Sequence, residues 1–440
     1  MPYLNLIVTG WLLVLGFGGL VLLTWWKRKT HLFTFWNAFL VGSMNFIALG
    51  MVQNAIGLGQ GAIAGSEEFA QESWHLIAGT LVFYGAAALV YYRNYTSPVR
   101  TPCPSYWPVD SRQALTLVAI GLVIVSLGFT FAPAFEGVQL LYSTRNAVIT
   151  AAVLLTIALI VRNPKSAVPY VLFAVVFVVA LGVILSRGGG RRGLLSVLAA
   201  VPFGAYWLYF KSRPRTRTLV WLGAAAFIGL FVLSSYATIR HTSRDDKLST
   251  NLAKERLTQL PTALIDNFKD LSFLGEHDSI FDTQDGPYVA MRTIQLLKTA
   301  PNFEGQWLHC LWYTAVNPIP RAFFPSKPNA LGKIIPEYLG DFYTNLGPTV
   351  IGHGFYDGGY LVLLMYGLLT GLACRWMDRR MLFDPDNPWR LAAMVSVIGH
   401  VIAFSRGDCG VLLINIVGGI IVVDLLIFSC RFFAPPRSPG

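Results

Sequence analysis

A chain of 440 residues with 54% hydrophobic and 13% charged side chains, and a mean hydropathy of +0.53, carries too little polar surface to fold as a soluble globule of this size. The formal charge of +11 would suit nucleic acid, but the basic excess sits in short loops between apolar runs. That pattern excludes a phosphate-tracking surface and fits loops that face the cytoplasm and anionic lipid.

The chain opens with an apolar run that ends in Lys27-Arg28-Lys29 and has neither a basic leader nor a small-residue cleavage site. It is expected to be a retained first helix rather than a signal peptide. Runs near the bilayer-spanning length of about 20 residues predict about eleven transmembrane helices, at 5–25, 33–52, 75–92, 113–132, 146–161, 167–185, 194–210, 218–238, 351–374, 388–405 and 410–430. A long polar segment separates the eighth from the ninth. The expected architecture is therefore an all-α polytopic membrane protein in three parts: an N-terminal bundle of about eight helices (1–238), one large extracytoplasmic loop domain (239–350) and a C-terminal bundle of about three helices (351–440). With the N-terminus outside, the inner loops collect 18 Lys and Arg and the short outer loops five. The positive-inside rule then places the long segment, with 11 basic and 12 acidic residues from 240 to 350, outside.

Within that outer segment, Leu248, Leu252, Leu257, Leu260 and Leu264 approximate a helical stripe over 243–269 and predict an interfacial or packing helix. The acidic loop 276–285 has no EF-hand spacing and reads as a solvated face. A helix is expected over 287–299, and Trp307, Trp312 and Tyr313 suit a membrane interface.

A cation on the outer face gains nothing from the topology rule, so the outer exceptions Arg145, Arg187, Arg191, Arg192 and Arg406 need another reason to be there. Three of them fall in Ser186-Arg-Gly-Gly-Gly-Arg-Arg192, whose glycines allow backbone N–H groups to approach an anion at the start of a helix. The plainer reading is a tight turn whose arginines snorkel to lipid phosphates. Four prolines in Pro318-Ile-Pro-Arg-Ala-Phe-Phe-Pro-Ser-Lys-Pro328 preclude a regular helix and predict a rigid arm presenting Arg321 and Lys327, a guanidinium so held being suited to bidentate phosphate contact. Alternatively, Arg321 ties the arm to Glu337 or Asp341. In Ile351-Gly-His-Gly-Phe-Tyr-Asp-Gly-Gly-Tyr360, glycines thin the helix entrance around His353 and Asp357. His353 is a candidate general base with Asp357 one turn on, although a lone interfacial histidine is more often structural. Ser405-Arg-Gly-Asp408 sets Arg406 on the outer surface, or pairs it with Asp408, and Asp424 lies inside the last helix. Five separated cysteines form no C-x-x-C pair and imply no metal or cofactor; Cys310 and Cys409 share the outer side, where geometry alone decides whether they pair.

The polytopic pattern, the mid-chain Ser-Arg-Gly loop, the outer loop ending in Pro-Arg-x-x-x-Pro-x-Lys-Pro and the Gly-rich His/Tyr/Asp stretch resemble bacterial O-antigen and exopolysaccharide repeat-unit polymerases of the Wzy type, relatives of the O-antigen ligases. The resemblance covers most of the chain in architecture, but its motifs are confined to 186–192, 317–328, 351–360 and 405–408. It implies a GT-C-like glycosyltransferase of the bacterial inner membrane with its active site toward the periplasm. Such an enzyme extends undecaprenyl-pyrophosphate-linked oligosaccharide using donor and acceptor repeat units, with membrane lipid, a chain-length regulator and a flippase of the pathway as partners, and without a metal. Arg187 and Arg321 would hold the donor pyrophosphate, and His353 or Asp357 would take or position the acceptor hydroxyl. Arg191, Arg192, Lys327, Arg406 and Tyr356 would contact substrate. The related ligases carry a His-Asn-type motif where His353-Gly-Phe-Tyr stands here, so Glu337 and Asp341 stay open as bases. A ligase delivering glycan to lipid A core is the nearest rival. A transporter or lipid-linked-oligosaccharide flippase would instead be expected to show inverted repeats, discontinuous helices and charge along the midplane.

Overall fold

The computed structural model describes residues 3–26, 31–57, 68–93, 111–131, 139–185, 191–242, 258–259, 261–262, 265, 286–340 and 346–430. The Arg187 loop, Asp341, the acidic loop 276–285 and most of the expected 243–269 helix lie outside the described residues. Among those described there is helix and no strand. In chain order the helices are α1 (Leu4–Trp26), α2 (Phe35–Ser43), α3 (Gly50–Ala55, reached through a π-helical stretch Met44–Leu49), α4 (Ala70–Arg93), α5 (Arg112–Phe131), α6 (Gln139–Arg162), α7 (Ala167–Leu185), α8 (Arg191–Leu208) and α9 (Arg215–Thr242). They continue as α10 (Gly286–Thr299), α11 (His309–Val316), α12 (Leu331–Tyr338), α13 (Thr349–Phe383), α14 (Pro388–Val395), α15 (Ile398–Ala403) and α16 (Cys409–Cys430). Among the described residues nine helices are long and apolar enough to cross a membrane, and two shorter apolar ones, Gly193–Leu208 and Pro388–Ala403, fall on the remaining predicted runs. The chain is a polytopic membrane protein.

Two of those runs differ in form from the expectation. The run expected as one helix at 351–374 is bent, because Gly358 (φ 142°) and Gly359 (φ 72°) leave helical geometry inside α13. A Cβ on Gly354 would lie 3.5 Å from Leu363 Cα, whereas nine residues of straight helix span about 13.5 Å. The first turns of α13, 349–357, therefore fold back on the arm that follows. The run at 388–405 is divided between α14 and α15. Its start is well specified: Asn387 accepts from Trp389 N (3.0 Å) and Arg390 N (3.2 Å), with Pro388 in the first turn.

The chain forms two compact units. The first takes 1–98, 281–379 and 401–414, so the described part of the outer segment belongs with α1–α4 and the bent α13. Arg292 pairs with Glu68 at 2.8 Å and Lys298 with Glu72 at 3.2 Å, laying α10 along the start of α4. Beneath it, Val289, Leu296, Phe303, Leu331, Ile335 and Tyr356 form a small apolar core. At Gly367 and Gly371 of α13 a Cβ would meet the carbonyl oxygens of Phe83 and Ala87 at 2.4 and 2.3 Å, so this small-x-x-x-small stripe is what lets α13 close on α4. At the far end of the unit Asp378 accepts from Phe35 N (2.6 Å), Trp36 N (3.3 Å) and Tyr91 Oη (2.8 Å), capping α2 from another helix.

The second unit takes 99–280, 380–400 and 415–440 and is built around α6, whose residues from Ala147 to Leu159 are almost wholly buried. The loop after α8 meets the loop before α14 through Lys211 and Asp386 at 2.6 Å, which places these two loops at one end of the unit. Both are predicted to face the cytoplasm.

Candidate functional site

Three helix starts converge in the first unit: α11, the short folded-back arm of α13, and α16. The sequence dictates each. Asp357 reaches α11, its Oδ2 accepting from Cys310 N at 2.8 Å and also from Tyr366 Oη, while its main-chain oxygen accepts from Leu308 N at 3.1 Å. Asp408 stands one residue before α16, where its Oδ1 accepts from Val411 N at 3.2 Å in the manner of an N-cap, and its Oδ2 accepts from Gly332 N at 2.9 Å in the first turn of α12. Each carboxylate thus satisfies a first-turn donor of a neighbouring helix and sits against that helix's positive end.

Between the carboxylates lies His353, with Nε2 3.4 Å from Asp408 Oδ1, an ion-pair distance without the alignment of a hydrogen bond. His353, Asp357 and Asp408 are 1%, 0% and 3% exposed, so none of the three reaches solvent. Burial by itself would raise the Asp408 carboxyl, but the facing His353 and the Gly332 and Val411 amides outweigh it and hold that group below the usual carboxylate range. His309 completes the cluster, its ring 5.4 Å from Tyr356 and stacked at 6.3 Å on Tyr313. Burial and the neighbouring His353 lower its pKa, against opposing pulls from Asp357 and Asp408. Burial likewise pushes the Cys310 thiol up, and with the help of Asp408 pushes the Tyr313 phenol to about 12.

Several polar atoms here have no hydrogen-bond partner among the described residues: both ring nitrogens of His309, both of His353, and Asp357 Oδ1. Single ligand atoms from Cys310, His353 and Asp357 lie within 4.8 Å of one another. Two bulky residues with φ > 0 flank the cluster, Leu308 (φ 56°) before α11 and Thr349 (φ 62°) at the start of α13. Strained backbone of this kind is held only where surrounding structure over-determines it.

The sequence-predicted residues divide. His353 and Asp357 share one face of the short helix and come together as expected. Arg321 is exposed on the Pro-rich arm, which is irregular as predicted; it donates to Lys327 O (3.2 Å) and Asn329 Oδ1 (2.8 Å) rather than to Glu337. Lys327 is 6% exposed, and its ammonium donates to the main-chain oxygens of Asn317 and, at 3.1 Å, Ile319. It staples the arm, and burial together with Arg321 lowers its pKa. Tyr356 faces the apolar core. Arg406 stacks over Phe46 at 5.5 Å. Arg187 is not described, nor are the side chains of Arg191 and Arg192. Cys310 and Cys409 are buried free thiols, so they do not form the disulfide that their shared side allowed.

Asp408, His309 and Cys310 were not singled out from the sequence as site residues. An Asp immediately before an apolar run was the available signal for Asp408, as an N-cap. His309 and Cys310 lie more than forty residues from their partners, and no local spacing announces them. Comparison with known protein families, with characterised proteins and with solved structures returns no match to this chain.

Proposed function

We propose that the protein is a GT-C-like membrane glycosyltransferase that extends an undecaprenyl-pyrophosphate-linked glycan by transferring it to a hydroxyl of a lipid-linked repeat unit on the outer face of a bacterial inner membrane. The observation that carries this reading is the placement, in one unit, of an exposed guanidinium on a Pro-fixed arm and a closed cluster of His353, Asp357 and Asp408. The arm follows directly on α11, whose first turn Asp357 caps, and both lie in the first unit. In the transfer, Arg321 would pair with pyrophosphate oxygens as negative charge builds on the leaving group. The cluster would bind the acceptor hydroxyl and take its proton. Because the three residues are buried, acceptor entry requires the bend at Gly358 and Gly359 or the Pro-rich arm to open.

The same bend favours a second reading. A membrane helix interrupted beside a buried carboxylate is the feature expected of a transporter, and Asp357 adjoins such a break. One experiment separates the two. Purified protein in proteoliposomes is given matching undecaprenyl-pyrophosphate repeat units, and both glycan length and sidedness are followed. A ladder of repeats supports polymerisation, one transfer to a core acceptor supports ligation, and movement across the bilayer without new glycosidic bonds supports transport.

A further inference from the structure

Cys310, His353 and Asp357 present a sulfur, a nitrogen and an oxygen within 4.8 Å of one another, all buried, and drawn from two segments more than forty residues apart. We infer that these three side chains hold a divalent transition-metal ion of the zinc class, with a fourth position open.

Distances come first. Metal bonds of about 2.0–2.3 Å place the donors of a tetrahedral ion roughly 3.5 Å apart. The upper bound of 4.8 Å exceeds that by little more than 1 Å, a gap of the size that side-chain rotation closes. The donor set then selects the ion: a thiolate with an imidazole and a carboxylate suits zinc, cobalt or ferrous iron, whereas magnesium and calcium require oxygen.

The surroundings point the same way. Metal-bound histidines commonly turn their second nitrogen to a carboxylate, and metal-bound carboxylates are themselves hydrogen-bonded. Here Asp408 stands 3.4 Å from His353 Nε2, which leaves Nδ1, a buried atom with no partner among the described residues, for the ion. Asp357 uses Oδ2 for Cys310 N and Tyr366 Oη and leaves Oδ1 equally buried and unpartnered. Orphaned polar atoms at this depth are costly unless something satisfies them. A water could serve one or two, but a water gives no reason for a thiol to complete the triangle.

Three protein donors and one open position describe a centre that binds a water or substrate oxygen rather than a closed structural one. Only the ion's task rests on the glycan-transfer reading: it would bind the acceptor oxygen and lower its pKa, and with His353 and Asp357 engaged as ligands Asp408 would be the cluster's remaining proton acceptor. Its presence does not rest on that reading, and the family resemblance implies none.

The test reads metal without substrate. Full-length protein, purified in detergent without chelator, is analysed for bound metals, then stripped and titrated with Co(II), followed by competition with Zn(II). The expected result is stoichiometric metal as purified and, on Co(II) addition, a thiolate-to-cobalt charge-transfer band that Zn(II) abolishes. Cys310→Ser should lose that band, and Asp357→Asn should weaken Co(II) binding about tenfold or more. If either variant fails to fold, the wild-type spectrum still decides. Folded wild-type protein that is metal-free as purified and gives no charge-transfer band with Co(II) overturns the inference and leaves a buried water as the occupant, whatever the glycan assay shows.

Discussion

His353 and Asp408, 55 positions apart in the chain, meet 3.4 Å apart at a point where neither is more than 3% exposed. Asp408 at the same time satisfies amides in the first turns of α12 and α16. One carboxylate therefore fixes two helix starts and orients an imidazole. Asp408→Asn keeps the size but has only one oxygen to accept with, and its amide turns a donor toward Gly332 N or toward His353. A loss of about 1–3 kcal/mol is expected for the donor left unsatisfied. Asp408→Ala should cost more than Asp408→Asn. Thermal unfolding of the detergent-solubilised protein measures both, and an Ala variant as stable as wild type would remove Asp408 from this role.

At the opposite end of the first unit Asp378 performs the same kind of task without a histidine. Its carboxylate receives Phe35 N, Trp36 N and Tyr91 Oη. Asp378→Ala should lower stability by about 2 kcal/mol or more through the orphaned donors. The fraction that folds should keep its full specific activity in the proteoliposome assay. Lost activity per folded molecule would show that the two ends of the unit are coupled.

Close packing makes a third prediction. At Gly371 a Cβ would come within 2.3 Å of the Ala87 main-chain oxygen, and backbone cannot yield as a flexible side chain does. Gly371→Val should cost about 1–3 kcal/mol or more as α13 is forced off α4. Substitution at Gly85, where a Cβ would meet nothing within 4 Å, should be nearly neutral in the same thermal assay.

The extent to which the site was legible follows from the range of each signal. Hydropathy acts over about 20 consecutive residues, so all eleven apolar runs were visible. His353 and Asp357, four residues apart on one helix, share a face by periodicity alone. The bend at Gly358 and Gly359 was only hinted at, because a glycine pair permits φ > 0 without requiring it; the packing of Gly354 on Leu363 makes it a reversal. Lys327 read as a phosphate ligand because a Pro-flanked cation looks presented, yet the prolines turn its ammonium onto the arm's own carbonyls. His309 and Cys310 were invisible as partners, since tertiary folding alone brings them beside α13.

That bend can be tested directly. Gly358 has φ 142°, and a Cβ there would lie 2.4 Å from the Trp307 ring, so Gly358→Ala meets both backbone strain and a clash. Gly359 has φ 72° and ψ −147°, a combination open essentially to glycine alone, but free space around it, so Gly359→Ala isolates the backbone term at about 1–3 kcal/mol. If opening at this point admits the acceptor, Gly359→Ala should reduce turnover well beyond what its stability loss explains. Equal turnover per folded molecule in Gly359→Ala and wild type would assign the opening to the Pro-rich arm.

Arg321 separates charge from fold. It is exposed, and its two hydrogen bonds stay within its own arm, so Arg321→Ala should change stability by less than about 1 kcal/mol. Its loss from the transfer should be far larger, because a charge-assisted contact to pyrophosphate contributes about 1.5–3 kcal/mol, or roughly a 10- to 100-fold rate. Arg321→Lys distinguishes two uses of the cation. A lysine restores charge but not the planar two-point contact, so a bidentate role predicts that Arg321→Lys remains severely impaired, while simple electrostatic attraction predicts substantial rescue. Initial rates over a range of donor concentrations read the difference. A defect confined to apparent donor affinity places Arg321 in binding, and a defect in the maximal rate places it where charge develops on the leaving pyrophosphate. Wild-type rates in a folded Arg321→Ala protein would take the arm out of the site altogether.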